Sequence, residues 1–320
     1  MSRVKSILIF AIVISLVAGA AQGKYSSGTG EPNDPYRIAT AEDLNDIGNN
    51  QEDWDKHFIL VNDVNLAEYT STQFNMIGEY GMPFTGVFDG NDHEIYNFTW
   101  VFGVSDYLDF VGMFRCVGPG GQIKNLKMEN VNINAQRNNV GGLVGFNEGS
   151  MINNCYSSGS IIGSGQVGGL VGLSGYGIIT NCYSTGSVGG NSTLGGLVGY
   201  RYYGTVSNCY ASGSVSGGYW YVGGLVGYDY FGTVTASFWD IDTSGQLTSA
   251  GGTPKTTAEM QKMATFANAG WDFVEVWGIG ENQTYPYLLT EPAGDSNHDK
   301  KVDFVDLAIL ASHWLEGTMP

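Results

Sequence analysis

The chain has 320 residues, enough for one long domain with small appendages; only 14% are charged and 48 are glycine. Those glycines hold fixed places among Val, Ile, Leu and Tyr, which excludes a helical bundle and an acidic disordered polymer and indicates tight turns between strands. A net charge of −17 and an isoelectric point near 4.4 repel phosphate backbones and anionic bilayers, excluding nucleic-acid and membrane-surface partners.

Residues 1–23 read as a secretory signal: Arg3 and Lys5 form a basic start, Ile7 to Val17 is apolar, and Ala18-Gly19-Ala20 offers small residues for cleavage. The apolar run is short for a membrane span and no later stretch reaches that length. A secreted protein without membrane insertion after cleavage, free or associated with a cell surface, is the expectation. Residues 24–57 read as an N-terminal cap with a short helix over Ala41 to Ile47.

From 58 to 245 the chain is repetitive. His57 to Leu66 reads as a strand, and degenerate units surround Phe84 to Phe98 and Val111 to Leu126. Then Gly-Gly-Leu-Val-Gly starts at Gly141, Gly168, Gly195 and Gly223, at intervals of 27, 27 and 28 residues. Asn-Cys-Tyr keeps the same beat at Asn154, Asn181 and Asn208, with Ala236-Ser237-Phe238 as a worn fourth copy. A unit of this length with β-branched runs and no helical periodicity fits one coil of a solenoid, at most ~90 Å of extended chain with bends. The fold class is therefore all-β, a parallel β-helix with short helical caps, right-handed by analogy with crossover chirality. Glycine is expected at corners of positive φ, and Asn at an αL bend or in a side-chain ladder.

Three of the four cysteines, Cys155, Cys182 and Cys209, share one column. Stacked about 4.8 Å apart with parallel Cα–Cβ directions, they suit a ladder of small fillers better than a disulfide framework or a metal site. Strict alternation turns Cys209 outward, whereas a bend at Asn208 turns it inward; both arrangements are open. Residues 246–292 read as a C-terminal cap, in which Thr256 and Glu259 form a capping-box pattern before one helix carrying Met260, Met263 and Phe266.

The Gly-Gly-Leu-Val-Gly and Asn-Cys-Tyr-Ser-Thr-Gly pattern resembles the GLUG motif of bacterial secreted and surface proteins, over roughly residues 28 to 290. The resemblance implies architecture and an adhesin-like setting; it implies no chemistry.

Residues 293–320 carry the sharpest chemical pattern. Asp295, Asn297, Asp299, Lys301, Asp303 and Asp306 occupy positions 1, 3, 5, 7, 9 and 12 of an EF-hand-type loop, a set of oxygen donors suited to calcium. A helix with Phe304, Leu307, Ala308, Ala311 and Trp314 on one face follows. The segment resembles half of a type I dockerin, which implies docking to a cohesin-like or surface protein. It departs from that pattern in having Lys300 where the loop usually has glycine, and in having one loop–helix copy.

Between Val140 and Thr235 the carboxylates are Glu148 and Asp229 and the basic residue is Arg201, so neither the paired carboxylates of a glycosidase nor a lyase constellation is present. Asp89, Asp92 and His93 are explained by turn composition. The repeats instead offer aromatics, read as loop residues: Tyr200, Tyr202, Tyr203, Tyr219, Trp220, Tyr221, Tyr228 and Tyr230. Such rings either bind an extracellular glycan or pack on one another as structural ladders. The expectation is a non-catalytic adhesion or glycan-binding solenoid tethered by its tail, with a polysaccharide-active enzyme and a purely structural spacer as the alternatives.

Overall fold

Backbone pairing follows the repeat, unit upon unit. The structure is a computed structural model and describes residues 24–70, 72–101, 109–290, 304–305 and 307–308. The expected signal segment and all six calcium-loop positions lie outside the described residues. Val144, Val171, Val198 and Val226 occupy one parallel register column, and Met151, Ile178, Thr205 and Thr233 another. One unit runs through Gln166–Gly168 and Val171–Gly175, then through Ile178–Thr180, Tyr183–Ser184 and Ser187–Gly190. Stacking these segments gives three parallel sheets wrapped around one core, a β-solenoid.

Pairing extends beyond the clear repeats. Phe58, Phe88, Ile123 and Ile152 continue one column toward the N-terminus. Tyr36–Ile38 already pairs with Phe58–Leu60, and Phe238–Asp240 pairs with Thr253–Lys255. Leu143, Leu170, Leu197 and Leu225 fill the axis with no exposure, each removing apolar surface worth about 1.5–3 kcal/mol.

The pentapeptide glycines differ from expectation. Among the described residues, none of them has positive φ. A Cβ on the first glycine would stand 2.0–2.1 Å from the carbonyl oxygen of the valine three residues on, at Gly141, Gly168, Gly195 and Gly223 alike. They are glycines because the backbone folds tightly onto itself. The left-handed bend falls on asparagine instead: Asn154, Asn181 and Asn208 have φ of 52°, 50° and 51°. Side-chain bonds run up the stack, from Asn208 Nδ2 to Asn181 Oδ1 at 3.3 Å and from Asn154 Nδ2 to Asn125 Oδ1 at 3.1 Å.

That bend resets the alternation and turns Cys155, Cys182 and Cys209 into the core, fully buried. Each thiol lies 3.0–3.2 Å from the carbonyl two residues earlier. Burial pushes the Cys182 thiol well above its ordinary range.

Both ends are covered. The helix Ala41–Asn49 has a capping box between Thr40 and Asp43 and buries Leu44 and Ile47. At the other end, Thr248 O accepts from Gly224 N and Ala250 N donates to Val226 O, which occupies the last coil's edge. The Thr256–Glu259 capping box forms, but the expected single helix is two, Thr257–Met260 and Met263–Ala267, because Lys262 between them is extended. These pieces do not sit on the solenoid's end. They lie across its side, where Met260, Phe266, Trp271, Trp277 and Leu288 cover Tyr156, Tyr183, Tyr210 and Phe238.

Candidate functional site

The aromatic residues singled out in the sequence lie largely on strands rather than in loops. Tyr200 and Tyr202 belong to the strand Val198–Tyr202, and Tyr228 and Tyr230 to Val226–Tyr230. Period-two alternation turns both pairs to the outer face of the same sheet, while Arg201 and Asp229 point beneath it. Register places Tyr200 beside Tyr228 and Tyr202 beside Tyr230, with ring centroids 5.0 and 6.5 Å apart. Tyr221 packs on Tyr228 at 4.5 Å, and Tyr219 and Trp220 stand exposed on the adjoining turn. The structure therefore brings these residues to one side of the solenoid.

Tyr203 belongs to a further column, at the corner where the strand ends. Its neighbours, Tyr176 and Phe231, were absent from the expected site. Tyr176 and Tyr203 stack at 5.2 Å, and Tyr203 and Phe231 at 6.0 Å. All three are exposed, and their φ values are 58°, 55° and 56°. Left-handed backbone costs an L-residue roughly 1–2 kcal/mol, and the preceding unit puts Gly149 at this position. The fold holds three large rings in solvent at strained positions. The signal was present in the sequence as a column spaced 27, 27 and 28 residues, but its aromatic members look like ordinary loop residues.

The face also begins earlier than the repeats suggest. Tyr80, Phe110 and Phe146 form a stack with successive centroid distances of 5.6 and 5.4 Å. Phe146 shares its register column with Leu173, Tyr200 and Tyr228.

Polar side chains beneath the corner hold it in shape. Asn147, Ser174, Arg201 and Asp229 share an inward column. Asn147 Oδ1 accepts from Ser150 N at 2.9 Å, and Asp229 Oδ1 accepts from Gly232 N at 3.2 Å, each closing the turn of its own unit. Arg201 is fully buried: Nη2 meets Asp229 Oδ2 at 2.7 Å, and Nη1 donates to Thr233 O at 2.5 Å. Its desolvation lowers the guanidinium pKa and Asp229 opposes that shift. Arg201, the one basic residue between Val140 and Thr235, thus clamps two coils and is unavailable to a ligand.

The N-terminal polar residues are likewise engaged. Asp89 Oδ1 accepts from Asn91 N at 2.9 Å, its Oδ2 meets Lys124 at 2.9 Å, and His93 Nδ1 lies 3.0 Å from Asp63. Glu94 N donates to Asp63, and this bond and His93 hold that carboxyl below its usual range. Glu129 binds the Tyr156 and Ser158 hydroxyls. Among the described residues no group of three or more His, Cys, Asp or Glu is placed to hold a metal ion.

These features define a tandem-repeat parallel β-solenoid with an uncovered aromatic side. The repeats are GLUG motifs: the family model for that motif matches residues 136–162, 163–189 and 190–216. Over 67 residues the chain is 46% identical to a protein of Evansella cellulosilytica provisionally named a Gly-rich membrane protein, covering 19% of this chain and 8% of that one. Over 143 residues it is 32% identical to Halomucin of Haloquadratum walsbyi, covering 42% of this chain and 2% of that protein. The chain thus spans a small fraction of the length of either relative. A crystal structure of a protein from Bacteroides ovatus, provisionally assigned as an immunoglobulin A1 protease, superposes with a TM-score of 0.55 at 20% identity, covering 85% of this chain and 97% of that one. At that identity the likeness is one of fold.

Proposed function

We propose that this protein is a secreted, non-catalytic β-solenoid that binds an extracellular glycan through its aromatic side and is tethered through its C-terminal tail. The observation that carries the reading is the uncovered aromatic face, with three of its rings held at strained backbone positions. Flat apolar rings with hydroxyl rims suit the CH faces and hydroxyls of sugars. A non-catalytic role is supported by the engagement of Asp229 with Arg201 and of Glu129 with two hydroxyls. For the tail, the donors are all oxygen and fit a hard cation: Asp295, Asn297, Asp299 and Asp306 through side chains, Lys301 through its carbonyl, and Asp303 at the position often served by water. Calcium would order this loop for a cohesin-like or surface partner.

Two measurements test this. On a panel of immobilised neutral polysaccharides, wild type is retained and Tyr202→Ala and Trp220→Ala are retained less; equal retention of all three removes the aromatic face from the reading. Calorimetry with Ca2+ gives a binding heat for wild type that Asp295→Ala abolishes; matching traces end the calcium assignment.

A further inference from the structure

The exposed corner column is a pile of rings with one rung missing. Tyr176 and Tyr203 are parallel within 3°, and Phe231 continues the pile beyond Tyr203. On the other side of Tyr176 the same column holds Gly149, as the pairing of Glu148 with Gly175 requires. That face of the Tyr176 ring therefore meets no ring from the next coil. A cleft of about 190 Å3 opens there, lined by Gly120, Gly121, Gln122, Gly149, Met151 and Tyr176 among others. Tyr176 itself is fixed, because the Tyr202 hydroxyl donates to its hydroxyl at 3.0 Å.

Along the column, the coil beyond Gly149 carries a second ring, Pro119. Pro119 Cγ lies 3.7 Å from where a Cβ on Gly149 would stand. Pro119 and Tyr176 are two coils apart, about 9.6 Å at the usual strand spacing. Contact with both takes about 3.5–4 Å on each side. One flat ring fits between them and two do not.

The chemistry of the rim selects among rings. No lining side chain is charged, so a uronate or sulfate would find no cation, and the chain's net charge of −17 repels it. Glycine backbone and the Gln122 amide offer several hydrogen bonds, which the hydroxyls around a sugar ring can use together and the single polar atom of a tyrosine or tryptophan cannot. We infer that this slot takes a single pyranose ring of an uncharged glycan, stacked on Tyr176 in place of the missing rung. The inference rests on the glycan-binding reading and narrows it to one site and one sugar class.

The test closes the slot from within. Gly149→Tyr supplies the missing ring: its Cβ has room, with nothing nearer than 3.7 Å, and Tyr176 and Tyr203 already tolerate the left-handed backbone at the equivalent positions. Gly149→Asn tolerates the same backbone with a short side chain and serves as the control for strain. Full-length wild type and both variants are titrated with hexasaccharides of glucose, xylose, N-acetylglucosamine and galacturonic acid, and with a tyrosine-rich peptide. The expected result is binding of at least one neutral hexasaccharide, weakened about tenfold or more by Gly149→Tyr and retained by Gly149→Asn. Neutral-sugar binding unchanged in Gly149→Tyr but lost in Trp220→Ala overturns the slot and leaves the glycan reading standing. Preference for the galacturonate or the peptide overturns the sugar class. Binding of none of the probes by wild type overturns both.

Discussion

Two of the aromatic ladders along this solenoid meet different fates. Tyr156, Tyr183 and Tyr210 stack at 4.6 and 4.8 Å and are 8%, 8% and 1% exposed, because residues 257–290 fold across them. Tyr176, Tyr203 and Phe231 stack at 5.2 and 6.0 Å and are 58%, 38% and 74% exposed. The covered ladder has its hydroxyls tied inside the protein, Tyr210 to Pro286 O at 2.7 Å and Tyr156 to Glu129, and burial raises all three phenol pKa values. The open ladder has strained backbone and no cover. A ring stack is thus structural or available according to whether the chain supplies a lid, and the repeat alone does not say which.

Truncation should separate the two most sharply. Tyr210→Ala removes a ring between Tyr183 and Tyr285 and the bond to Pro286, and is expected to cost about 3–5 kcal/mol in urea denaturation. Tyr203→Gly loses exposed stacking but relieves about 1–2 kcal/mol of left-handed strain, against roughly 0.4–1 kcal/mol of added unfolded-state entropy. Its stability should stay within about 1 kcal/mol of wild type while its glycan retention falls. Equal destabilisation by both substitutions would erase the distinction between the ladders.

Much of the covered region was legible in the sequence. The 27-residue beat dictates register, so Val144, Val171 and Val198 had to align, and Asn154, Asn181 and Asn208 were placed where a left-handed bend is affordable. Other features depend on contacts between coils that no local pattern carries. Gly141 looks like a corner residue, yet it is small because Val144 O lies where its Cβ would be. Arg201 sits between two tyrosines that read as loop residues, but alternation drives it under the sheet onto Asp229. Tyr176 and Phe231 matter because of Gly149 in the preceding coil, and that comparison needs the exact stacking of the column.

The smallest expected effect concerns the lid. Its first helix starts at a capping box in which Thr256 Oγ1 accepts from Glu259 N, and Thr256 N donates to Glu259 Oε2 at 2.9 Å. That second bond, first among its causes, holds the Glu259 carboxyl below its usual range. A depressed folded-state pKa contributes stability in full above the unfolded value of about 4.3 and loses it as pH falls through the lower folded value. Thr256→Ala keeps that backbone bond and loses the Oγ1 bonds to Glu259 N and Glu259 Oε2, so it should cost about 1 kcal/mol at neutral pH, and the gap to wild type should narrow in acid only by the share of the Oγ1–Oε2 bond. The readout is local, since Trp271 donates from Nε1 to Ala236 O at 2.8 Å and packs on Tyr210 at 6.3 Å. Loosening the lid should raise quencher access to the tryptophan fluorescence while binding at the open corner is unchanged. If the substitution alters corner binding and leaves quenching alone, the lid is not what divides the two ladders.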